Sequence, residues 1–207
     1  DDGASEYPIQ ASEDLRKYLS RELGGTADDY AELRIPDNLF IWASMNSADQ
    51  GVFPMDTAFK RRWDFTYLGI DDHEDGIAGK RVVLGEGTYR RVVEWNALRK
   101  AINQELLSYR VNEDKLMGPY FISKKNLPDD DDVNSAKFVR VFKNKVLMYL
   151  FEDAARQKRM TLFSGCEETA RNQYSKLCEA FDAMGVGIFC RAIWEQWAQR
   201  APEDDFA

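Results

Sequence analysis

Residues 36–68 constrain the fold of this chain more than any other stretch, because they join an apolar run, a polar corner and a basic cluster. Residues 39–45 are almost continuously apolar, without the polar alternation of a half-buried strand. That pattern favours a strand buried on both faces, as in a parallel sheet covered by helices, with a short buried helix as the alternative. Pro36 before the run and the polar residues 46–49 after it favour the strand.

The segments that follow predict how the chain is divided. Asp56 is placed to cap a short helix over residues 57–62, and residues 63–68 alternate in the manner of a strand. We therefore predict an α/β fragment over residues 1–70, built as strand, loop, helix and strand. The apolar spacing of residues 71–207 predicts an all-helical second part, so that the chain is mostly helical.

Apolar residues three and four positions apart predict several amphipathic helices. The first begins after Ser12, which can cap it, carries Glu13 and Asp14 in its first turn and stops at Gly24. The later helices are predicted at residues 92–109, 138–150, 174–185 and 188–197. Residues 81–84 fit a short helix or a strand equally well.

Composition disfavours several classes of function. The formal net charge of −8 disfavours broad binding to nucleic-acid phosphates. No apolar run approaches the roughly 20 residues of a membrane span, and no secretory signal is visible, so we expect a cytoplasmic protein. The three cysteines lack C-x-x-C spacing and are expected to be reduced. Because His73 lies alone in a hydrophilic turn and the acidic residues 129–132 lack calcium-loop spacing, no metal site is predicted.

The central stretch carries the residues with the clearest chemistry. Asn46 follows the predicted buried strand, where its amide could orient a water or a phosphate oxygen at the carboxyl edge of the sheet. Asp49 could accept hydrogen bonds or cap a turn. Arg61 and Arg62 suit a surface helix that stabilises charge on a phosphoryl group in a neighbouring subunit. Taken singly these signals are weak, because an Asn at the end of a strand is usually a turn former and surface arginine pairs are usually solvated.

Two motifs, in this order, resemble the second half of an AAA+ nucleotidase core. Residues 45–49 read Met-Asn-Ser-Ala-Asp, and residues 55–63 read Met-Asp-Thr-Ala-Phe-Lys-Arg-Arg-Trp. They look like the Met-Asn-Thr-Ala-Asp and Leu-Asp-x-Ala-Leu-Arg-Arg-Arg-Phe of the McrB-like branch, the motor subunits of methylcytosine-dependent restriction systems. Residues 116–121 are similar to the Ile-Gly-His-Ser-Tyr-Phe of that branch's lid. Gln50, where the branch has a basic residue, and the absence of the His-Ser pair from the lid segment are departures.

The resemblance implies a role for each residue that matches the motifs. Asn46 would be the sensor-1 residue that positions the attacking water, with Ser47 and Asp49 in the same motif. Arg61 or Arg62 would be the arginine finger for the adjacent subunit. The resemblance further implies ATP or GTP with Mg²⁺ in the full-length parent, a homo-oligomeric ring and a nuclease or DNA-linked partner. The helical part would be the AAA+ lid.

The elements that bind the phosphates and the magnesium ion are missing from this sequence. It contains no Gly-x-x-x-x-Gly-Lys-Ser/Thr motif and no apolar run that ends in Asp-Glu. We therefore expect an excised piece of a longer ATPase or GTPase, inactive alone, rather than a degenerate relative that lost its site. The second hypothesis is a non-enzymatic assembly or adaptor module that uses the lid as a docking surface. A nucleic-acid-binding domain is the third, and the net charge disfavours it.

Overall fold

The computed structural model describes residues 5–44, 55–128 and 136–193, and the chain divides into two compact units, Asp1–Ser47 and Ala48–Ala207. Helices form most of the described structure, together with two short antiparallel strand pairs. The predicted boundary between an AAA+ core and its lid stays a prediction.

The first unit contains one longer helix and one pair of very short strands. The strands pair in antiparallel orientation on either side of the helix in the sequence. Its elements are strand β1 (Ile9–Gln10), helix α1 (Glu13–Leu23), a 3-10 turn (Ala27–Tyr30) and strand β2 (Glu32–Leu33).

Helix α1 begins and ends where the sequence predicts. The Ser12 hydroxyl oxygen accepts a hydrogen bond from the Leu15 N–H at 3.3 Å, and the first turn carries Glu13 and Asp14. Carboxylates there interact favourably with the partial positive charge of the helix N-terminus. Gly24 ends the helix with a φ of 84°, a conformation that glycine adopts without steric cost. The predicted helix over this stretch is therefore confirmed.

The strand predicted over residues 39–45 is wrong where the structure describes it. Residues 39–44 form no regular structure, and Phe40 and Trp42 are 78% and 92% exposed. A central strand needs a neighbour on each side for its main-chain hydrogen bonds and a layer over each face. None of the strands among residues 5–44 pairs with this run, so its apolar side chains stay in contact with solvent.

The second unit is built around a long central helix. Its helices and strands are α2 (Thr57–Lys60), β3 (Arg81–Leu84), β4 (Arg91–Glu94), α3 (Trp95–Ser108), α4 (Ala136–Val141), two π-helical segments (Phe142–Leu147 and Leu150–Ala154), α5 (Arg159–Leu162), α6 (Glu168–Asn172) and α7 (Tyr174–Met184). Single 3-10 turns lie at Glu74–Ile77, Gly87–Tyr89, Glu113–Lys115, Pro119–Phe121, Lys124–Asn126 and Gly185–Ile188.

The second unit differs from the prediction of an all-helical part, because β3 and β4 form an antiparallel hairpin. Val82 pairs with Val93 in this hairpin and both are fully buried, which suits β-branched residues on a packed strand. Val92 therefore lies in β4 rather than in the long helix. The strand predicted over residues 63–68 is also wrong, since these residues are irregular and Tyr67 is exposed.

The predicted helices over 92–109, 138–150 and 174–185 are confirmed in their central residues by α3, α4 with its π-helical continuation, and α7. Aromatic side chains join these helices. The Trp95 ring packs edge-on against Phe138 and Phe142, with centroids 6.0 Å apart in each pair. Phe142 stacks in parallel on Phe181 at 4.7 Å. Because such rings bury large apolar areas, this cluster is the centre of the unit's core.

One backbone approach in the core requires glycine. The Gly165 N–H donates to the Ile188 carbonyl at 3.1 Å, which brings the loop after α5 against the 3-10 turn after α7. A Cβ atom at residue 165 would collide with the Gly187 carbonyl oxygen. The two segments therefore meet main chain to main chain, a contact that no larger residue at position 165 would allow.

The three cysteines are free, as predicted. Cys166 and Cys190 are buried, and burial raises the pKa of both thiols.

In residues 5–44, 55–128 and 136–193, no helix combines the length and the apolar character that a membrane crossing requires.

Candidate functional site

The predicted site residues fall into two groups in the structure. Asn46, Ser47 and Asp49 lie outside the described residues, so their roles stay predictions. Arg61 and Arg62 are described, and both are exposed at the end of the short helix α2.

Helix α2 places these two arginines through its capping residue, as predicted. The Asp56 carboxylate accepts from the Ala58 N–H at 3.1 Å and fixes the start of the helix. The Phe59 and Trp63 rings lie 5.8 Å apart, on either side of the arginines in the sequence. A single capped turn, with this ring pair beside it, therefore carries the basic cluster.

The side chains of Arg61 and Arg62 are available to a ligand or a neighbouring subunit. Both are exposed, and neither forms an ion pair or a side-chain hydrogen bond with any described residue. Guanidinium groups in this state keep all their N–H donors for an incoming oxyanion. The geometry is compatible with the predicted arginine finger, which stays a prediction.

The sequence analysis missed a buried polar network around Arg99 of α3. The Arg99 side chain is fully buried and donates to the Asn96 side chain at 2.9 Å and to the Met117 carbonyl at 2.8 Å. Its Nη2 also donates to Asp71 at 2.7 Å and to Glu74 at 3.2 Å. Because buried charges require partners, this set of four acceptors is what makes a guanidinium tolerable in the core.

The network fixes the chain segment that resembles the AAA+ lid motif. The Asn103 side chain forms two hydrogen bonds with the main chain of Met117. Its Nδ2 donates to the Met117 carbonyl and its Oδ1 accepts from the Met117 N–H, each at 2.9 Å. Arg99 donates to the same carbonyl. The Tyr149 hydroxyl donates to the Lys115 carbonyl at 2.8 Å, and burial raises the pKa of Tyr149 to about 12. We call residues 115–121 the clamped segment.

The clamped segment leaves one side open at its centre. A Cβ atom built at Gly118 meets no atom within 4 Å, so there is free space beside this residue. The Tyr120 hydroxyl donates to the His73 carbonyl at 3.0 Å, and a side chain at Gly76 would collide with that hydroxyl. His73 is exposed, as predicted. The segment is thus a fixed turn with free space beside Gly118.

A signal for this network was present in the sequence. Arg99 falls between Trp95 and Ile102, at the spacing of the apolar residues that face the core. Asn96 and Asn103 lie three positions before and four positions after it, on the same side of the helix. A charged residue on an otherwise apolar helix face, flanked by two amides at helical spacing, indicates a buried polar cluster.

The electrostatics of the network favour the ionised form of Glu74. The pKa of Glu74 is lowered, chiefly by the hydrogen bond from Lys100 at 2.6 Å, then by the Asn96 amide and the charges of Lys100 and Arg99, against the opposing effect of burial. A carboxyl group whose pKa is lower in the folded state stabilises the fold above its unfolded pKa. That stabilisation is lost as the pH falls through the lowered value.

Lys100→Met tests this assignment. We expect the variant to unfold more easily than the wild type at neutral pH, because Glu74 loses its strongest partner. The two free energies of unfolding should converge as the pH falls below 4.5, the ordinary pKa of Glu74, and through its lowered value. Urea unfolding at a series of pH values measures this difference. Lys124→Met, at an exposed lysine, is the control, and an unchanging gap between wild type and Lys100→Met would contradict the assignment.

Metal chemistry has no candidate in this part of the chain. No group of three or more His, Cys, Asp or Glu side chains among the described residues is arranged to hold a metal ion. The network around Arg99 pairs its carboxylates with cations instead.

The chain is similar to a component of a restriction system. It is 37% identical over 180 residues to the type II restriction enzyme BsuMI component YdiS of Bacillus subtilis (strain 168). The match covers 87% of this chain and 47% of that protein, so the chain spans about half the length of this curated relative. No family model matches the chain, and no solved structure matches it.

Proposed function

We propose that this chain is the sensor, finger and lid portion of a nucleoside-triphosphatase subunit that works in a restriction system. The observation that carries the restriction role is the 37% identity over 180 residues to a restriction enzyme component. The motor assignment rests on the two motifs at residues 45–49 and 55–63, which resemble the McrB-like branch of the AAA+ superfamily.

In this proposal the described arginines act on a neighbouring subunit. Arg61 or Arg62 reaches the nucleotide of the next subunit in a homo-oligomeric ring and stabilises charge on the transferring phosphoryl group. The exposure of both side chains, without a carboxylate partner among the described residues, supports this role. ATP or GTP and its Mg²⁺ bind to parts of the longer protein, and a nuclease subunit is the expected partner.

The remaining predicted residues act on the nucleotide of their own subunit. Asn46 orients the attacking water, and Ser47 and Asp49 belong to the same motif.

A non-enzymatic assembly module is the second candidate. The exposed apolar residues Leu39, Phe40, Ile41 and Trp42 favour it, because large exposed apolar patches mark contacts with other proteins. An adaptor of this kind would work in the same restriction system and with the same partners, but it would not hydrolyse nucleotide.

Nucleotide hydrolysis by the chain and by the natural protein that contains it tests the proposal. We expect no release of phosphate from ATP or GTP by the purified chain with Mg²⁺, and measurable release by the longer protein. Asn46→Ala in the longer protein should abolish that release. Turnover by the chain alone that Asn46→Ala removes would contradict the claim that essential elements lie elsewhere. A longer protein that assembles but never hydrolyses either nucleotide would favour the adaptor.

A further inference from the structure

A groove with an excess of positive charge lies at the end of helix α3. Its cavity volume is about 410 Å³, and it lies between the residues that follow α3 and those that end the π-helical segment Leu150–Ala154. We call it the basic groove. The charged side chains that line it are Arg110, Lys115, Glu152, Asp153, Arg156 and Lys158.

The ion pairing within the basic groove leaves three cations unmatched. Lys115 pairs with Asp153 at 2.9 Å, which accounts for one charge of each sign. Arg110, Arg156 and Lys158 form no ion pair with any described residue, and Glu152 is the one lining carboxylate left without a cation in this part of the chain. Among the described residues, three positive charges therefore face one negative charge, in a chain whose net charge is −8.

The backbone of Arg110 adopts a conformation that is unfavourable for residues with a side chain. Arg110 has a φ of 63°, in the left-handed region. The Arg110 N–H donates to the Leu107 carbonyl at 2.9 Å and the Val111 N–H to the Leu106 carbonyl at 3.1 Å, the two hydrogen bonds of a Schellman motif. Glycine is the residue that usually takes this position, because it alone has no steric cost there. The chain has an arginine there instead, with its side chain in the groove.

The positions of some of these cations can be explained by stabilisation of the helix ends alone. The groove lies at the C-terminal ends of α3 and of the π-helical segment, where cations interact favourably with the partial negative charge of the carbonyl groups. That explanation does not account for a left-handed arginine at a glycine position, since a cation one residue earlier would serve the same helix end. Segments of π-helix are also rare and are frequent at functional sites.

We propose that the basic groove binds a phosphate group. Two guanidinium groups and one ammonium group suit an oxyanion with two negative charges. A phosphate group carries such a charge, whereas a carboxylate ligand carries only one. A doubly charged ligand also offsets the repulsion of Glu152. The phosphate could belong to a free polyphosphate or to a nucleic-acid backbone, and the chemistry of recognition is the same. This proposal rests on the residues of the basic groove and does not depend on the nucleotide pocket proposed above.

The experiment measures binding of two probes to the purified chain, inorganic tripolyphosphate by calorimetry and a short labelled DNA duplex by fluorescence anisotropy at low salt. Arg110→Gly and Arg156→Gln should each weaken binding about tenfold, the worth of one charge-assisted hydrogen bond. Glu152→Gln should tighten binding severalfold. Arg90→Gln changes the net charge equally at an exposed arginine outside the groove, and it should leave binding unchanged.

Thermal unfolding separates binding from folding. Arg110→Gly should unfold at the same temperature as the wild type or at a higher one, because glycine relieves the left-handed strain. Weaker binding in a variant that is no less stable supports the site. Binding of tripolyphosphate alone identifies a free phosphate as the source, and binding of the duplex with strong salt dependence identifies a nucleic-acid backbone. The proposal is overturned if neither probe binds, or if Arg90→Gln weakens binding as much as Arg110→Gly.

Discussion

Replacement of both Arg61 and Arg62 by alanine in the longer subunit proposed above is expected to lower nucleotide turnover about a thousandfold. A finger arginine acts only as charge develops on the transferring phosphoryl group, so its loss lowers kcat far more than it changes nucleotide affinity. The fold should be unaffected, because both side chains are exposed and have no partner among the described residues. Steady-state hydrolysis and thermal unfolding of the same preparations measure the two effects.

The control for this double variant is Lys60→Ala. Lys60 is the neighbouring exposed cation of helix α2, and its loss tests whether positive charge on this helix is sufficient. We expect turnover close to that of the wild type. A double variant with normal turnover would refute the finger assignment, whereas an equal loss in Lys60→Ala would indicate a general electrostatic effect.

Mixing two inactive variants tests whether the arginines act in trans. A subunit with Asn46→Ala keeps its arginines, and a subunit with the double arginine replacement keeps Asn46. In a mixed ring, some pockets combine an intact Asn46 with an intact arginine from the next subunit, so part of the turnover should return. Absence of any recovery, in assemblies shown to be mixed, would place the arginines at the pocket of their own subunit.

Sequence reasoning succeeded where the signal is local. Helix α1 was predicted together with its cap, since Ser12, Glu13, Asp14 and Gly24 all lie within the helix or next to it. Capping depends on hydrogen bonds between residues two or three positions apart, and these follow from the sequence directly. The Asp56 cap of α2 was predicted for the same reason.

Strands were mispredicted because a strand is defined by its neighbours. Residues 39–44 have the composition of a buried central strand, yet no described strand pairs with them and Trp42 is almost fully exposed. The error at residues 63–68 has the same origin. Residues 81–84, in contrast, become a strand because β4 follows within a short hairpin and supplies the missing hydrogen bonds.

The polar network was missed because its partners are distant in the sequence. Arg99 meets Asp71 and Met117, which lie 28 and 18 residues away. Helical periodicity places Arg99 on the buried face but does not say which acceptors meet it there. The clamped segment, which includes the turn at Gly118, comes next to α3 only when the chain folds.

Arg99→Met is expected to lower the free energy of unfolding of this chain by about 3 kcal/mol. Loss of one partner of a buried ion pair costs about 3–5 kcal/mol, because the remaining charges are left unmatched. We expect the lower end of that range, since the Asp71 side chain is 48% exposed and regains water when the guanidinium is removed. Methionine fills much of the volume, so the loss reports the polar contacts rather than a cavity. Urea unfolding measures the change.

Two further measurements connect this loss of stability to the clamped segment. Arg99→Lys keeps the charge but not the guanidinium fork, so it should recover only part of the stability. Hydrogen exchange at the Met117 amide should become faster in Arg99→Met, because Asn103 is then the one side chain of the network that still bonds Met117. Arg90→Met, at an exposed arginine of the same unit, should change stability by no more than about 0.5 kcal/mol. If Arg99→Met matched that control, the four hydrogen bonds of Arg99 would contribute nothing to the fold, and the turn at Gly118 would need another support.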